Sequence, residues 1–109
     1  MDSEAELSCS FRFLSLTELQ AQSLKLLDLD INFGRHFKTN KITAFLELSE
    51  EVIPFLKDFV NANDIATIET DVFISVVSEY DSEIFDIPTC VNEAVIELGS
   101  KLVFSYTCV

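Results

Sequence analysis

Between Ala66 and Tyr80, side chains that suit a pleated surface alternate along the chain. Ile68, Thr70, Val72, Ile74 and Val76 stand in one phase, and Glu69, Asp71, Phe73, Ser75 and Val77 in the other. A period of two marks a β-strand, whose successive side chains point to opposite faces. This is the longest strand pattern in the sequence. A strand presents unpaired amides and carbonyls on both sides, and buried ones must find partners. The rest of the chain therefore has to supply neighbouring strands, together with an apolar layer to cover at least one face.

The neighbours can be read in turn. Leu7, Cys9, Phe11 and Phe13 alternate with Ser8, Ser10 and Arg12, a strand buried on one side. Ile31 to Phe37 and Lys41 to Leu48 read as two more strands, joined by Lys38-Thr39-Asn40 into an antiparallel hairpin. Lys101 to Val109 closes the sequence as a strand with Leu102, Phe104, Tyr106 and Cys108 in phase.

Three helices fall between the strands. Ser15 or Thr17 opens the first, both having the capping-box spacing, and Leu16, Leu19, Leu26 and Leu27 form its stripe before Asp28 to Asp30 ends it. Ser49 is expected to cap the second, with Glu50 and Glu51 facing the positive end of its dipole. Its stripe is Val52, Phe55, Leu56, Phe59 and Val60, and Pro54 lies at the inner limit of the first turn. Pro88 suits the start of the third, Val91, Ala94, Val95 and Leu98 its stripe, and Gly99 the left-handed position beyond it.

The resulting order is strand, helix, strand, strand, helix, strand, helix, strand. Its first six elements match a ferredoxin-like split βαβ core (β-α-β-β-α-β), with a further C-terminal α-β unit. The expected class is α+β, a single domain over residues 1–109, with helices on one face of a mixed or antiparallel sheet. If the helices cover the Ile68, Val72, Ile74 and Val76 phase, the other face displays Phe45, Phe73, Val77 and Val103 among Ser10, Ser75, Ser105 and Thr107.

Charge is segregated along this framework. Between Lys57 and Lys101 stand ten carboxylates without one Lys, Arg or His, whereas Arg35, His36, Lys38 and Lys41 cluster where no acid occurs from Ile31 to Leu46. The chain carries a net charge of -12, which repels itself in the folded state. With 49% apolar residues this is no disordered acidic tail. Seven bases against nineteen acids argue against nucleic-acid binding, because phosphates are neutralised by Lys and Arg.

Catalytic and metal chemistry find little to work with. His36 is the only histidine, and Cys9, Cys90 and Cys108 lack ligand spacing. Asp81-Ser82-Glu83 reads as a solvated charged loop that lacks the calcium-loop pattern. Cys90 sits at a helix start, which lowers a thiol pKa, with Asp86 and Glu93 opposing the shift. Two glycines cannot build a phosphate loop. The expectation is no enzyme, no metal and no cofactor. An acidic start in place of a basic and apolar leader, no long apolar run and free thiols fit a cytoplasmic protein without membrane contact.

From Phe85 onward, Asp86-Ile87-Pro88-Thr89, Val91, Ala94-Val95, Glu97-Leu98-Gly99 and Leu102-Val103-Phe104-Ser105-Tyr106 resemble the closing helix–Gly–strand unit of small uncharacterised bacterial α+β proteins. That group includes proteins of mobile gene cassettes and immunity-like members. The resemblance implies a fold and a bacterial origin, and it carries over no catalytic residue.

The leading expectation is a non-enzymatic acidic interaction protein, inhibitor or immunity-like. It would meet a basic protein partner through Glu69, Asp71, Glu79, Asp81, Glu83, Asp86, Glu93 and Glu97. The alternative is a homodimeric domain that binds a small molecule in a sheet–helix or subunit groove. A homodimer is expected in either case, with its contact at a sheet edge or at the Phe45/Phe73 face, assisted by Arg35, Lys38 and Lys41.

Overall fold

Phe11 and Phe13 leave the same side of one strand, and both are fully buried. That strand, β1, runs Glu6–Leu16 and lies at the centre of the sheet. The structure is a computed structural model that describes residues 6–79 and 86–109. The chain continues through α1 (Glu18–Lys25), β2 (Asn32–Arg35), β3 (Ile42–Glu47), α2 (Ile53–Ala62), β4 (Thr70–Ser78), α3 (Thr89–Leu98) and β5 (Lys101–Cys108). It is an α+β fold with three helices and one five-stranded mixed sheet in the order β2-β3-β1-β4-β5. β1 is antiparallel to both β3 and β4, β2 is antiparallel to β3, and β5 runs parallel to β4.

All three helices contribute to one core. Ala21 and Leu24 of α1, Ile53, Leu56 and Phe59 of α2, and Val91, Ala94 and Leu98 of α3 are buried with Phe11, Phe13, Ala44, Leu46, Val72, Ile74 and Val76 of the strands. Phe13 meets Phe11 at 5.1 Å and Phe59 at 5.6 Å, both edge-on, the arrangement favoured by ring quadrupoles. The register pairs Arg12 with Phe45 and Asp71, Ser10 with Glu47 and Phe73, and Phe73 with Val103. These residues therefore share the opposite face, which no described helix covers.

Several elements depart from the sequence reading. β1 extends past Phe13 to Leu16, with a bulge where Phe13 opposes Ala44 and Leu16 opposes Ile42. The extra residue returns Leu16 to the core three positions after Phe13, a step that a strict period of two would not allow. Thr17 is the N-cap of α1, and a full capping box with Gln20 is present. The helix buries Ala21 and Leu24 and leaves Leu19 and Leu26 exposed, because eight residues starting at Glu18 set a different phase from the expected leucine stripe.

Ser49 does not cap α2. That helix starts at Ile53, which places Pro54 in its first turn, where a missing N–H costs nothing. Phe55 is then turned outward and is 54% exposed. Ala66 to Glu69 also fall outside β4. A 3-10 turn, Thr67–Glu69, leaves Ile68 exposed, and the strand starts at Thr70, whose buried hydroxyl lies 2.6 Å from Ser100 Oγ. The β2–β3 hairpin is antiparallel as expected, although its connection spans residues 36–41 and places Asn40 at φ 58°. Gly99 takes the left-handed position after α3, at φ 67°. The expected loop Asp81-Ser82-Glu83 lies outside the described residues.

Truncating the residue that joins sheet to helix should be costly. Phe13→Ala is expected to lower the unfolding free energy by about 3–5 kcal/mol, the usual range for a buried aromatic. Phe55→Ala should change it by less than about 1 kcal/mol, in the range of surface substitutions. Urea denaturation of both variants checks the contrast, and equal losses would contradict this assignment of the core.

Candidate functional site

The depression with the most distinctive chemistry lies at the end of the sheet where β1 begins and β3 ends. Leu7, Ser8, Cys9, Glu47, Leu48, Pro88 and Cys90 line a hollow of about 340 Å³. Its geometry follows from backbone pairing. Leu48 N–H donates to the Cys9 carbonyl at 3.0 Å, while the Cys90 thiol lies 4.0 Å from the Leu48 carbonyl. Glu50 reaches the same place from the turn before α2, accepting from Thr89 Oγ1 at 3.1 Å.

Acid charge is focused here. Burial pushes the Cys90 thiol above its ordinary value, and Glu50 and Glu93 push it further, against the pull of the N–H groups of Cys90 and Val91 at the helix start. Cys9 is raised first by burial and then by Cys90. The thiol is thus raised, as the expected opposition to the helix start requires, but chiefly by burial and then by Glu50, with Glu93 contributing least and Asp86 not at all. Glu47, Glu50 and Glu93 come from β3, the α2 approach and α3, all are exposed, and none forms an ion pair among the described residues.

The carboxylates expected to form one partner surface are divided by the fold. Glu69 and Glu79 flank opposite ends of β4, about 30 Å apart at ~3.3 Å per residue. Glu97, towards the Glu69 end, is held by Lys57 Nζ at 3.0 Å. Glu79 and Asp86 lie towards the end that holds the hollow, and Glu93 stands on α3. Asp81 and Glu83 lie outside the described residues. Asp71 has to be withdrawn from the array. It is 1% exposed and bound by Arg12 through two bonds, Nε to Oδ1 at 2.7 Å and Nη2 to Oδ2 at 2.6 Å. Its alternating position aimed it at the open face, where Arg12 of β1 stands directly opposite.

Arg12 and Glu47 carry no site role in the sequence reading, and Glu50 carries only one at the start of the second helix. Only the β1–β4 register reveals the Arg12–Asp71 pair, although one basic residue between Phe11 and Phe13 in a half-buried strand is an available signal. The guanidinium also lies 4.2 Å from the Phe73 ring centroid, a stacked cation on the sheet surface. Phe45 and Phe73 share this face as expected, and with Ser8, Ser10 and Arg12 they enclose a second hollow of about 260 Å³.

The basic hairpin is partly occupied within the molecule. Arg35 binds Glu18 at 2.8 Å and the Asn40 carbonyl at 3.0 Å. Lys38 and Lys41 are exposed at the connection, beside Phe37, whose ring stacks on His36 at 5.3 Å and is 87% exposed. Among the described residues no three His, Cys, Asp or Glu side chains converge as a metal ion would require. No family model, curated protein or solved structure matches the chain. No described helix is long and apolar enough to cross a membrane.

Two measurements follow from this chemistry. Removing Arg12 strands a buried carboxylate, whereas removing Asp71 leaves a guanidinium that is already one-third exposed. Arg12→Ala should therefore cost about 3–5 kcal/mol, and Asp71→Ala distinctly less, in urea denaturation at neutral pH. The raised thiols bind their protons more tightly in the folded state. Their contribution is thus fully present below the ordinary thiol value of 9.0 and declines as pH rises above it. The stability of the wild type relative to Cys90→Ser should fall as pH is raised from 9, and a pH-independent difference would contradict the shift.

Proposed function

We propose that this is a non-enzymatic interaction protein of the inhibitor or immunity-like kind. It accepts a basic segment of a protein partner at the hollow lined by Leu7, Leu48, Pro88 and Cys90. One observation carries the reading: Glu47, Glu50 and Glu93, from three separate elements and without an ion pair among the described residues, surround a concave, partly apolar site. Glu47 is in its lining, Glu50 is bound to Thr89 beside it and Glu93 is one turn along α3 from Cys90. A cleft lined by one sign of charge focuses its field and raises the encounter rate with a cation. Exposed ion pairs contribute only ~0–1 kcal/mol each, so the apolar lining is what would add affinity beyond steering. Glu79 and Asp86 would extend the same field along this end of the sheet.

For the fold we infer that the first six elements are a ferredoxin-like split βαβ core to which α3 and β5 are appended. In support, β1 and β2 run in the same direction with β3 between them. Such a frame hosts many activities and argues for none. The alternative function, a small molecule held on the sheet, finds weaker support. In the hollow beside Phe45 and Phe73, the one charged group is Arg12, already committed to Asp71.

The test uses a lysine- and arginine-rich peptide containing one leucine as the probe, titrated calorimetrically. Binding should be 1:1 and weaken by roughly tenfold or more between low and high salt, because screening removes surface attraction. Glu50→Lys combined with Glu93→Lys should abolish it, while Asp58→Lys, on α2, should have little effect. Binding that ignores both salt and the Glu50/Glu93 change would defeat the proposal.

A further inference from the structure

The open face of the sheet differs in charge from the rest of the molecule. Its strand positions hold three carboxylates, Glu6, Glu47 and Asp71, against Arg12 and Lys101, leaving it one charge from neutral while the chain as a whole carries -12. Its centre is neutral outright. There Arg12 and Asp71 neutralise each other among Ser8, Ser10, Ser75, Ser105, Phe45, Phe73 and Val103. Depletion of net charge at the centre, with aromatic residues and Arg enriched, distinguishes the core of a protein interface from ordinary surface.

We propose that this face is the contact between two copies of the chain, packed sheet to sheet about a two-fold axis. Two molecules of charge -12 meet with least repulsion where each is neutral, which makes a second copy the occupant that this face suits. The area is adequate. Five strands ~4.8 Å apart and about eight residues long at ~3.3 Å each present a plane of roughly 600 Å², and side-chain relief brings this close to the ~800 Å² per partner of a stable interface.

The relief is complementary to itself. Phe45 is 48% exposed and borders a hollow of about 260 Å³ lined also by Ser8, Ser10, Arg12 and Phe73, whereas the neighbouring hollow of about 390 Å³ carries Asp30 and Glu47 at the rim of the face. A two-fold axis would seat each Phe45 in the smaller, uncharged-on-balance hollow of the other copy, with Ser8 and Ser10 allowing the sheets to approach. The Arg12–Asp71 pair also gains a purpose. A lone arginine at the centre would be costly to bury, whereas one already bound through two bonds can lose its remaining water with its charge compensated.

Sedimentation equilibrium at micromolar concentration tests this, using the full chain. The expected mass is twice 12.3 kDa. Association should hold or strengthen as salt rises, since screening relieves repulsion between the acidic remainders. The basic-peptide binding above should weaken under the same change, so the two proposals can fail separately. Ser10→Glu, which places a charge at the centre, should return the mass to that of one chain. Phe45→Ser should weaken association by roughly ten- to a hundredfold, the effect of losing an aromatic anchor. Phe55→Ser, exposed on α2, should leave it unchanged. A 12.3 kDa species at every concentration and salt, or a dimer indifferent to both Ser10→Glu and Phe45→Ser, would overturn the inference.

Discussion

Everything in this fold is arranged about the register of β1. Paired on both sides, it sends Phe11 and Phe13 into the core and Arg12, between them, to the open face. Because side chains alternate strictly, a slip of one residue against β3 or β4 would drive a guanidinium into a space that two phenylalanines fill. Two forces thus hold the register from opposite sides of the sheet. Below, Phe13 engages Phe11 and Phe59 edge-on. Above, Arg12 grips the carboxylate opposite it. The first supplies most of the free energy through apolar burial, and the second penalises alternatives, since a displaced Asp71 would stay buried without a partner.

The pair also shows how a strongly acidic chain builds a sheet. Asp71 belongs to a segment with ten carboxylates and no base, so its partner had to come from elsewhere in the chain. Arg12 is 59 residues away. The other described ion pairs, Arg35 with Glu18 and Lys57 with Glu97, likewise join separate elements, and both are exposed. They belong to a class of pair that adds little to stability. Among the described residues the scarce bases therefore matter most at Arg12, whose partner is buried, and the remaining acids are left to repel one another over the helical layer and the sheet ends.

How much of this was legible follows from what each signal measures. Periodicity reports which face of an element is apolar, and it located the five strands and three helices of the described residues, along with the aromatic and hydroxyl residues of the open face but not its Arg12–Asp71 pair. It fails where geometry changes within a segment. The bulge after Phe13 made Leu16 look helical, and the 3-10 turn made Ile68 look like the start of β4. At α2, Ser49, Glu50 and Glu51 have the chemistry of a helix start, but Pro54 fits the first turn only if the helix opens at Ile53. That later start frees Glu50 to accept from Thr89 beside the hollow. Sites are harder to read than elements because they depend on long-range register. Glu47, Glu50 and Glu93 are brought together by three elements, and nothing in their spacing announces it. Asp71, by contrast, looked like a surface acid because its phase was right and its partner was invisible.

The distribution of charge links the two surfaces. Had the acids been spread evenly, every face would repel a second copy and no hollow would be distinguished by its potential. Segregation leaves one broad face nearly neutral and sets Glu47, Glu50 and Glu93 about one hollow, where the start of α3 would otherwise favour anions. At Cys90 burial, with Glu50 and Glu93 beside it, raises the thiol against the downward pull of the N–H groups at that helix end. A hollow with Glu47 in its lining and Glu50 and Glu93 nearby is suited to cations. The face that Arg12 and Asp71 neutralise is suited to a surface as neutral as itself.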